Sequence, residues 1–220
     1  MVTSVVTGAN RGIGLELCRQ LRARGDHVVA VCRKSSPELE ALGIRLEAGI
    51  DVSDASAVAA LASRVKDVRI DLLVNNAGIL RGESLDALNF DSVAEQFEVN
   101  ALGPLRVTAA LAPMFAPDAK VAIITSRMGS IADNGSGGYY GYRMSKAAVN
   151  AAGVSLAHDL AVRGIAVALI HPGMVATDMT GKHGIAPRDA AQGVIARIDA
   201  LTRDTTGRFW HAGTGEELPW

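Results

Sequence analysis

Tyr142 and Lys146 are the two residues whose types and spacing best suit proton transfer. In a helix, positions i and i+4 lie on one face, so the two side chains would point the same way. A free tyrosine has a pKa of about 10, too high for easy proton exchange at neutral pH, and a nearby ammonium lowers it. The spacing alone is more typical of an ordinary surface pair on a helix. Its place after a glycine-rich loop favours general acid–base catalysis.

A second chemical feature is the glycine-rich turn Thr7–Gly14, which carries Gly8, Gly12 and Gly14 between an apolar strand and the first helical segment. Such a turn lets backbone N–H groups and a helix N-terminus face a pyrophosphate. Taken alone, a plain tight turn explains the glycines about as well. The position at the first strand–helix junction favours a dinucleotide site.

The end of the second strand predicts which dinucleotide is bound. Sites that prefer NAD place Asp or Glu here to bind the ribose 2′-hydroxyl. This chain has Cys32, Arg33 and Lys34 instead. Arg33 and Arg11 would suit a 2′-phosphate, because the guanidinium offers planar, forked donors. The sequence therefore predicts NADP(H), and the alternative is that both arginines are solvated surface residues.

The elements that must position these residues alternate between strand and helix. Apolar runs without polar alternation are typical of parallel strands covered on both faces. The predicted strands are Ser4–Val6, His27–Val31, Asp71–Val74, Val121–Ile124 and Ile165–Ile170. The predicted helices include Arg11–Arg24, Ala55–Val65, Val99–Phe115 and Tyr142–Val162. This order predicts an α/β fold with a doubly wound, Rossmann-like parallel sheet in a single domain, residues 1–220.

Two irregular stretches, Ser130–Gly141 and Met174–Pro187, each follow a strand. Ligands in open α/β sheets bind beyond the carboxyl ends of the strands, so both stretches are expected to border the site. Tyr139 and Tyr140 are expected to line the substrate pocket. The short stretch after Thr177 predicts a small lid and a fairly open site.

Composition excludes several classes of function. The chain has 22 basic and 23 acidic residues and 4% aromatic residues, which argues against a protein built to bind nucleic acid or an anionic membrane. No apolar run reaches the roughly 18 residues of a membrane helix, and no leader peptide is evident. Cys18 and Cys32 predict reduced thiols in a cytoplasmic protein. No metal cluster and no Gly-x-Ser-x-Gly hydrolase motif occurs.

Taken in order, the motifs resemble those of the short-chain dehydrogenase/reductase family over nearly the whole chain. They are Thr7–Gly14, Asp51-Val52, Asn75-Asn76-Ala77-Gly78, Asn100, Thr125-Ser126, Tyr142-x-x-x-Lys146 and Pro172-Gly173. Within the family, the Ser126–Lys146 region and the ending from Arg208 to Trp220 are most similar to the C-factor and sniffer-type carbonyl reductases.

The resemblance implies a set of cofactor-binding residues. Tyr142 and Lys146 would belong to this set as well as to the catalytic group. The others are Gly8, Asn10, Arg11, Gly12, Ile13, Gly14, Arg33, Asp51, Val52, Asn75, Ala77, Gly78, Pro172, Gly173, Val175 and Thr177. For Asn75 and Gly78, bracing of the backbone is as good an interpretation as direct contact.

The resemblance also implies catalytic roles for four residues. Tyr142 would be the general acid, Lys146 would bind the nicotinamide ribose and lower the pKa of Tyr142, and Ser126 would orient the carbonyl oxygen. Ser130 competes with Ser126, because it is nearer the usual sequence distance from Tyr142. Asn100 would kink its helix and serve a proton relay, and a satisfied buried amide is the alternative.

The expected activity is NADPH-dependent reduction of a ketone or aldehyde, with oxidation of an alcohol as the reverse reaction. A signalling or sensor protein that binds NADP(H) without turnover is the competing class. Family members often pair through helices that would here be Val99–Phe115 and Tyr142–Val162. The second of these carries Ala147, Ala148, Ala151 and Ala152, so a homodimer or homotetramer is expected.

Overall fold

The computed structural model describes residues 1–220, which form a seven-stranded parallel sheet with helices on both faces. The strand order is β3-β2-β1-β4-β5-β6-β7. The strands are β1 (Thr3–Thr7), β2 (His27–Cys32), β3 (Arg45–Ala48), β4 (Ile70–Asn75), β5 (Phe115–Ile124), β6 (Ala166–His171) and β7 (Phe209–His211). The helices are α1 (Gly12–Arg24), α2 (Pro37–Glu40), α3 (Ala55–Arg64), α4 (Phe90–Phe97), α5 (Gly103–Leu111), α6 (Tyr140–Ala161) and α7 (Pro187–Ala200).

Two apolar clusters cover the two faces of the sheet. One joins β-strand side chains to α3, α5 and α6, with Leu61, Leu111 and Val149 at its centre. The other joins the opposite face to α1 and α7, through residues such as Leu17 and Ile198. Because both faces are buried, the strands are apolar without alternation, as the sequence pattern predicted.

The chain reverses its direction of winding between β3 and β4, which lie on opposite sides of β1. β1 is therefore flanked by β2 on one side and β4 on the other, all parallel. Such a switch point leaves a crevice at the carboxyl ends of the strands, where open α/β folds bind ligands. Thr7 and Asn75 end the two strands that border this crevice.

The doubly wound parallel sheet predicted from the sequence is confirmed, but β3 and β7 were missed. Both are short, at four and three residues, so they carry little of the apolar run that identified the others. Gly25 ends α1 with a left-handed φ of 97°, one residue after the predicted end of this helix at Arg24.

The predicted helix Val99–Phe115 is wrong in detail. α4 runs into a π-helical turn, Glu98–Leu102, before α5 begins, and Phe115 already belongs to β5. Pro104 lacks an N–H group, and the Gly103 N–H donates to the Glu98 carbonyl five residues back. The proline thus explains why regular α-helical hydrogen bonding is interrupted around Asn100. No helix is long and apolar enough to span a bilayer.

Candidate active site

Tyr142 and Lys146 lie one turn apart near the start of α6, and both are buried. The Lys146 Nζ is 5.7 Å from the centre of the Tyr142 ring. It donates a hydrogen bond of 2.9 Å to the carbonyl oxygen of Ile124, the last residue of β5. The i and i+4 spacing therefore produces the shared orientation that the sequence predicted.

Burial controls the acidity of both groups. Removal from water lowers the pKa of Lys146 to about 8. The same desolvation raises the pKa of Tyr142, and interaction with the Ser126 side chain offsets part of that rise. Desolvation of the phenolate therefore sets the direction of the shift, and the expected lowering of the Tyr142 pKa by Lys146 stays a prediction.

Ser126 begins a short 3₁₀ turn, Arg127–Gly129, just beyond β5. Its Oγ accepts a hydrogen bond of 3.2 Å from the Met128 N–H, which leaves the hydroxyl hydrogen free to donate elsewhere. Ser130 is also buried, but its Oγ accepts from the Asp133 N–H at 3.1 Å within the following loop. Of the two serines, Ser126 is the one whose side chain influences Tyr142.

Asn100 is fully buried in the π-helical turn and its amide is well satisfied. Its Oδ1 accepts from the Ile79 N–H at 2.8 Å, and its Nδ2 donates to the Ile79 carbonyl at 2.9 Å and to Ser145 Oγ at 3.1 Å. A side chain at Gly78 would lie 3.2 Å from Asn100 Oδ1 and 3.8 Å from Lys146 Nζ. Asn100 and Lys146 therefore border one small space that Gly78 leaves open.

The glycine turn is a tight cradle at the crevice. A Cβ on Gly14 would lie 2.2 Å from the Gly8 carbonyl oxygen, and one on Gly8 would lie 2.8 Å from the Ala77 Cα. Gly8 and Gly12 also have left-handed φ angles of 65° and 55°. Gly8 thus requires glycine for both space and conformation, Gly12 mainly for its conformation and Gly14 for space.

The N-terminus of α1 has no protein side chain to cap it, since Arg11 makes no capping hydrogen bond and the first turn holds no acid. The N–H groups of Gly12, Ile13 and Gly14 precede the first helical hydrogen bond, which runs from Leu15 to Arg11. Free donors, a positive helix end and a glycine cradle fit a pyrophosphate. The residues present therefore fit a dinucleotide.

Asn76 is a structural residue of this site that the sequence reasoning did not single out, although it lies inside the Asn75–Gly78 motif. Its Nδ2 donates to the carbonyl oxygens of Thr7 and Gly8 at 3.0 and 3.2 Å. The Thr7 Oγ1 accepts in turn from the N–H groups of Asn76 and Ala77. These bonds join the ends of β1 and β4.

Asn75 itself faces away from this junction and donates through Nδ2 to Thr108 Oγ1 at 3.0 Å. Its buried Oδ1 has no partner. Asp51 and Val52 follow β3 on the other side of the crevice. Asp51 accepts from Ser53, which helps lower the pKa of its carboxyl, and Val52 is buried under Gly103.

Arg11 and Arg33 have separate partners in the structure. Arg11 forms an ion pair of 3.1 Å with Asp178, and Arg33 forms one of 3.5 Å with Asp51. Their side chains are 66% and 64% exposed. Exposed ion pairs contribute little free energy, so either guanidinium can exchange its carboxylate for a phosphate at small cost. The Asn10 carbonyl accepts from Ser36 Oγ at 2.8 Å, which ties the glycine turn to the loop after β2.

The segment after β6 reaches back over the glycine turn. Pro172 and Gly173 follow the strand, and Val175 pairs with Ile185 to close a short loop. A side chain on Gly12 would lie 3.2 Å from Thr177 Cγ2. The loop that starts at Thr177 therefore contacts the dinucleotide cradle directly, as the expected small lid requires.

The irregular stretch before α6 is held by Arg143. Its guanidinium donates to the carbonyl oxygens of Gly137 and Met128 and to Ser136 Oγ. Tyr139 precedes the helix with a left-handed φ of 50° and packs beside Gly82, so Tyr139 and Arg143 do not form a second proton-transfer pair. Tyr139 and Tyr140 are partly exposed at the mouth of the crevice.

The histidines and cysteines supply no metal centre, because no group of three or more metal-binding side chains exists. The ring of His171 meets that of His211 edge-on, with 5.1 Å between the ring centres. Burial, with His211 and Arg127 nearby, lowers the pKa of His171 to about 4. Cys18 and Cys32 are free and buried.

Comparison with known proteins extends these observations. The family model for short chain dehydrogenases matches residues 3–186. A 1-hydroxy-2-glutathionyl-2-methyl-3-butene dehydrogenase from Rhodococcus sp. (strain AD45) is 45% identical, and the alignment covers 100% of both chains. The C-signal protein of Myxococcus xanthus is 44% identical over 73% of this chain and 99% of its own.

Solved structures of carbonyl reductases are also similar. The NADPH-bound carbonyl reductase from chicken fatty liver has a TM-score of 0.89 and 28% identity, over 99% of this chain and 98% of its own. The carbonyl reductase Sniffer of D. melanogaster has a TM-score of 0.90 and 27% identity over the whole of both chains. The narrower resemblance to C-factor and sniffer-type proteins is confirmed.

Proposed function

This chain belongs to the short-chain dehydrogenase family, and from that premise we propose that it is an NADP(H)-dependent reductase of ketones or aldehydes. The reverse oxidation of an alcohol is part of the same proposal. The observation that carries it is the burial of Ser126, Tyr142 and Lys146 side by side at the crevice between the strand ends.

The proposed dinucleotide site uses the glycine turn for the pyrophosphate and the two exposed arginines, Arg11 and Arg33, for the 2′-phosphate. When bound, NADPH supplies hydride to the carbonyl carbon. Lys146 would hold the nicotinamide ribose by hydrogen bonds, and its ammonium would balance part of the cofactor's negative charge. Residues Pro172–Thr177 would flank the nicotinamide.

Tyr142 donates its hydroxyl proton to the carbonyl oxygen in this mechanism. The raised pKa keeps the phenol protonated throughout the neutral range, but proton donation is easier from a phenol whose pKa lies nearer neutrality, so a positive charge close to the hydroxyl would assist this step. Ser126 donates its free hydroxyl hydrogen to the same oxygen and fixes its direction. Lys146 and Asn100 face the space beside Gly78, through which a proton can return towards Tyr142.

The test is a panel of aldehydes and ketones assayed in parallel with NADPH and NADH. Purified wild-type protein should oxidise NADPH with at least one carbonyl. Tyr142→Phe should lower kcat by roughly 10²–10⁴-fold, since it removes the proton donor, while NADPH binding is retained. Tyr140→Phe is the matched control for kcat, because Tyr140 donates no proton in the mechanism; as a residue expected to line the substrate pocket, it can change the KM for the carbonyl. Equal activity of wild type and Tyr142→Phe would contradict the assignment.

The similarity to the glutathionyl-alcohol dehydrogenase of Rhodococcus favours one addition to the panel. An alcohol with a glutathionyl substituent, assayed with NADP⁺ and NAD⁺, tests whether a bulky polar group is accepted. The short lid from Thr177 to Ala186 supports access for such a group. Turnover of this alcohol would assign the oxidative direction.

A second candidate is a signalling or sensor protein that binds NADP(H) without turnover, favoured by the 44% identity to C-signal. The complete Ser126, Tyr142 and Lys146 set argues against it. Tight NADPH binding together with no turnover across the whole panel would favour this second candidate over the reductase.

A further inference from the structure

Helix α6 begins without a capping side chain of its own. Tyr139, at the N-cap position, has a left-handed φ of 50° and makes no side-chain capping bond. The preceding loop contains Gly135, Gly137 and Gly138, which restrict the backbone little. Since Tyr142 lies in the first turn of α6, another part of the molecule must fix where this helix starts.

Glu83, in the loop between β4 and α4, makes the connection. The residue is buried, with only 7% of its surface exposed. Its Oε2 accepts a hydrogen bond of 3.2 Å from the Gly141 N–H, and its backbone carbonyl accepts one of 2.8 Å from the Tyr139 N–H. One residue thus satisfies two backbone donors at the start of α6, 58 positions further along the chain.

The other carboxylate oxygen of Glu83 is held by α4. Oε1 accepts from Gln96 Nε2 at 2.6 Å and from Ser92 Oγ at 2.8 Å. Gln96 is fully buried, and its Oε1 accepts from the Arg81 N–H at 2.8 Å. The orientation of the Gln96 amide is therefore set at both ends, and with it the position of Glu83.

Gly141 completes the contact between the two helices. A Cβ at this position would lie 2.5 Å from Gln96 Nε2 and 2.9 Å from the Val93 Cα. The first turn of α6 therefore rests directly on α4. A shift of Glu83 and Gln96 would therefore also move the first turn of α6, which carries Tyr142.

The charge of Glu83 has no basic partner. Arg81, which is close in sequence, pairs instead with Glu95 at 3.6 Å. A buried carboxylate needs hydrogen bonds and a positive field. Here the three donors and the positive N-terminal end of the 22-residue helix α6 supply both.

We propose that Glu83 is a positioning residue for the reaction, which anchors the N-terminus of α6 through Gly141 and so sets the placement of the Tyr142 hydroxyl. This inference rests on the proposed function, since it assigns Tyr142 as the proton donor. Glu83 acts through the helix and does not touch the reacting atoms.

Glu83→Gln tests the anchor with almost no change of shape. Whichever way the new amide turns, its NH₂ group faces an existing donor, either Gly141 N–H or Gln96 Nε2. We expect kcat to fall by about 10- to 100-fold, the size of effect that a small misplacement of a reacting group produces. The KM for NADPH should change much less than kcat, because the glycine turn proposed for the pyrophosphate lies elsewhere and only Tyr142 and Lys146 of the proposed cofactor-binding residues lie on α6.

Two further variants separate positioning from folding. Glu95→Gln is the matched control. It removes the same charge at the residue before Gln96, but Glu95 pairs with Arg81 and makes no hydrogen bond to α6. This variant should keep the wild-type kcat. The exchange variant Glu83→Gln/Gln96→Glu again places a hydrogen-bond acceptor opposite each donor. This holds for the contact between residues 83 and 96 and for the contact between residue 83 and the Gly141 N–H. The exchange variant should recover kcat to within about threefold of wild type if the two residues are coupled.

A folded Glu83→Gln protein with wild-type kcat would overturn the proposal. So would a folded exchange variant that is as slow as Glu83→Gln. If Glu83→Gln does not fold, the exchange variant decides: activity supports the anchor, and slow turnover or failure to fold overturns it.

If the wild type reduces no carbonyl at all, the proposed function fails, and amide hydrogen exchange at Gly141 and Tyr142 still tests the anchor. Faster exchange at these two residues in Glu83→Gln than in wild type supports the contact, and equal exchange overturns it.

Discussion

The Nζ of Lys146 lies 5.7 Å from the centre of the Tyr142 ring. It donates its hydrogen bond to the Ile124 carbonyl oxygen and not to the Tyr142 hydroxyl. The two groups are therefore neighbours whose pKa values are shifted mainly by burial.

The pKa of about 8 for Lys146 predicts a pH-dependent affinity for NADPH. A ligand that binds the ammonium favours the protonated form, so affinity should be constant below pH 8. Above pH 8 the free protein must take up a proton to bind, and affinity should fall by up to about tenfold per pH unit. Fluorescence titration with NADPH from pH 7 to 9.5 measures this.

Lys146→Met should bind NADPH weakly and with no slope over the same pH range. Lys120→Met is the control, since Lys120 is half-buried and also has a lowered pKa, but its Nζ donates to the Ile198 and Asp199 carbonyl oxygens. It should keep the wild-type slope. Affinity of the wild type that does not vary from pH 7 to 9.5 would exclude Lys146 from the cofactor site.

Ser126→Ala and Ser130→Ala should separate the two candidate serines. Loss of the Ser126 hydroxyl removes the donor that we propose for the carbonyl oxygen, and kcat should fall by about 10²–10³-fold. Ser130 only accepts from the Asp133 N–H, so Ser130→Ala should lower stability by about 1 kcal/mol and leave kcat nearly unchanged. Steady-state kinetics and urea unfolding of both variants decide between them. The reverse pattern would make Ser130 the catalytic serine.

Arg33→Asp should shift the preference from NADPH towards NADH. A guanidinium–phosphate contact contributes roughly 1.5–3 kcal/mol, so NADPH affinity should fall about 10- to 100-fold. The new acid at the end of β2 can instead accept from a ribose 2′-hydroxyl. Arg69→Asp is the matched charge reversal at the amino end of β4, outside the crevice. An unchanged ratio of NADPH to NADH affinity in Arg33→Asp rules out the phosphate role.

Gly14→Ala should destabilise the protein by at least about 1–3 kcal/mol, because its Cβ would overlap the Gly8 carbonyl oxygen at 2.2 Å. Gly135→Ala provides the comparison, since its Cβ would meet nothing within 4 Å and its φ is not left-handed. Its free energy of unfolding should be unchanged or slightly higher. Chemical denaturation of the two variants measures this difference in the free energy of unfolding. Equal stability of Gly14→Ala and Gly135→Ala would contradict the tight packing of the glycine turn.

Much of the fold was predictable because its signals are local. The apolar strands, the helix that carries Tyr142 and Lys146, and the glycine turn each follow from patterns within about twenty residues. β3 and β7 were missed because three or four residues give too short a pattern. The helix around Asn100 was predicted as continuous, and the interruption at Pro104 became clear only from its hydrogen bonds.

The sequence by itself determined the doubly wound fold, the dinucleotide-type turn and the residue types available for proton transfer. Only the tertiary structure decided that burial raises the pKa of Tyr142 and lowers that of Lys146, and that Glu83 reaches Gly141 across 58 positions. The physical reason is that periodicity is a property of neighbours in the chain. Desolvation and hydrogen bonding between distant residues depend on everything that packs around a group.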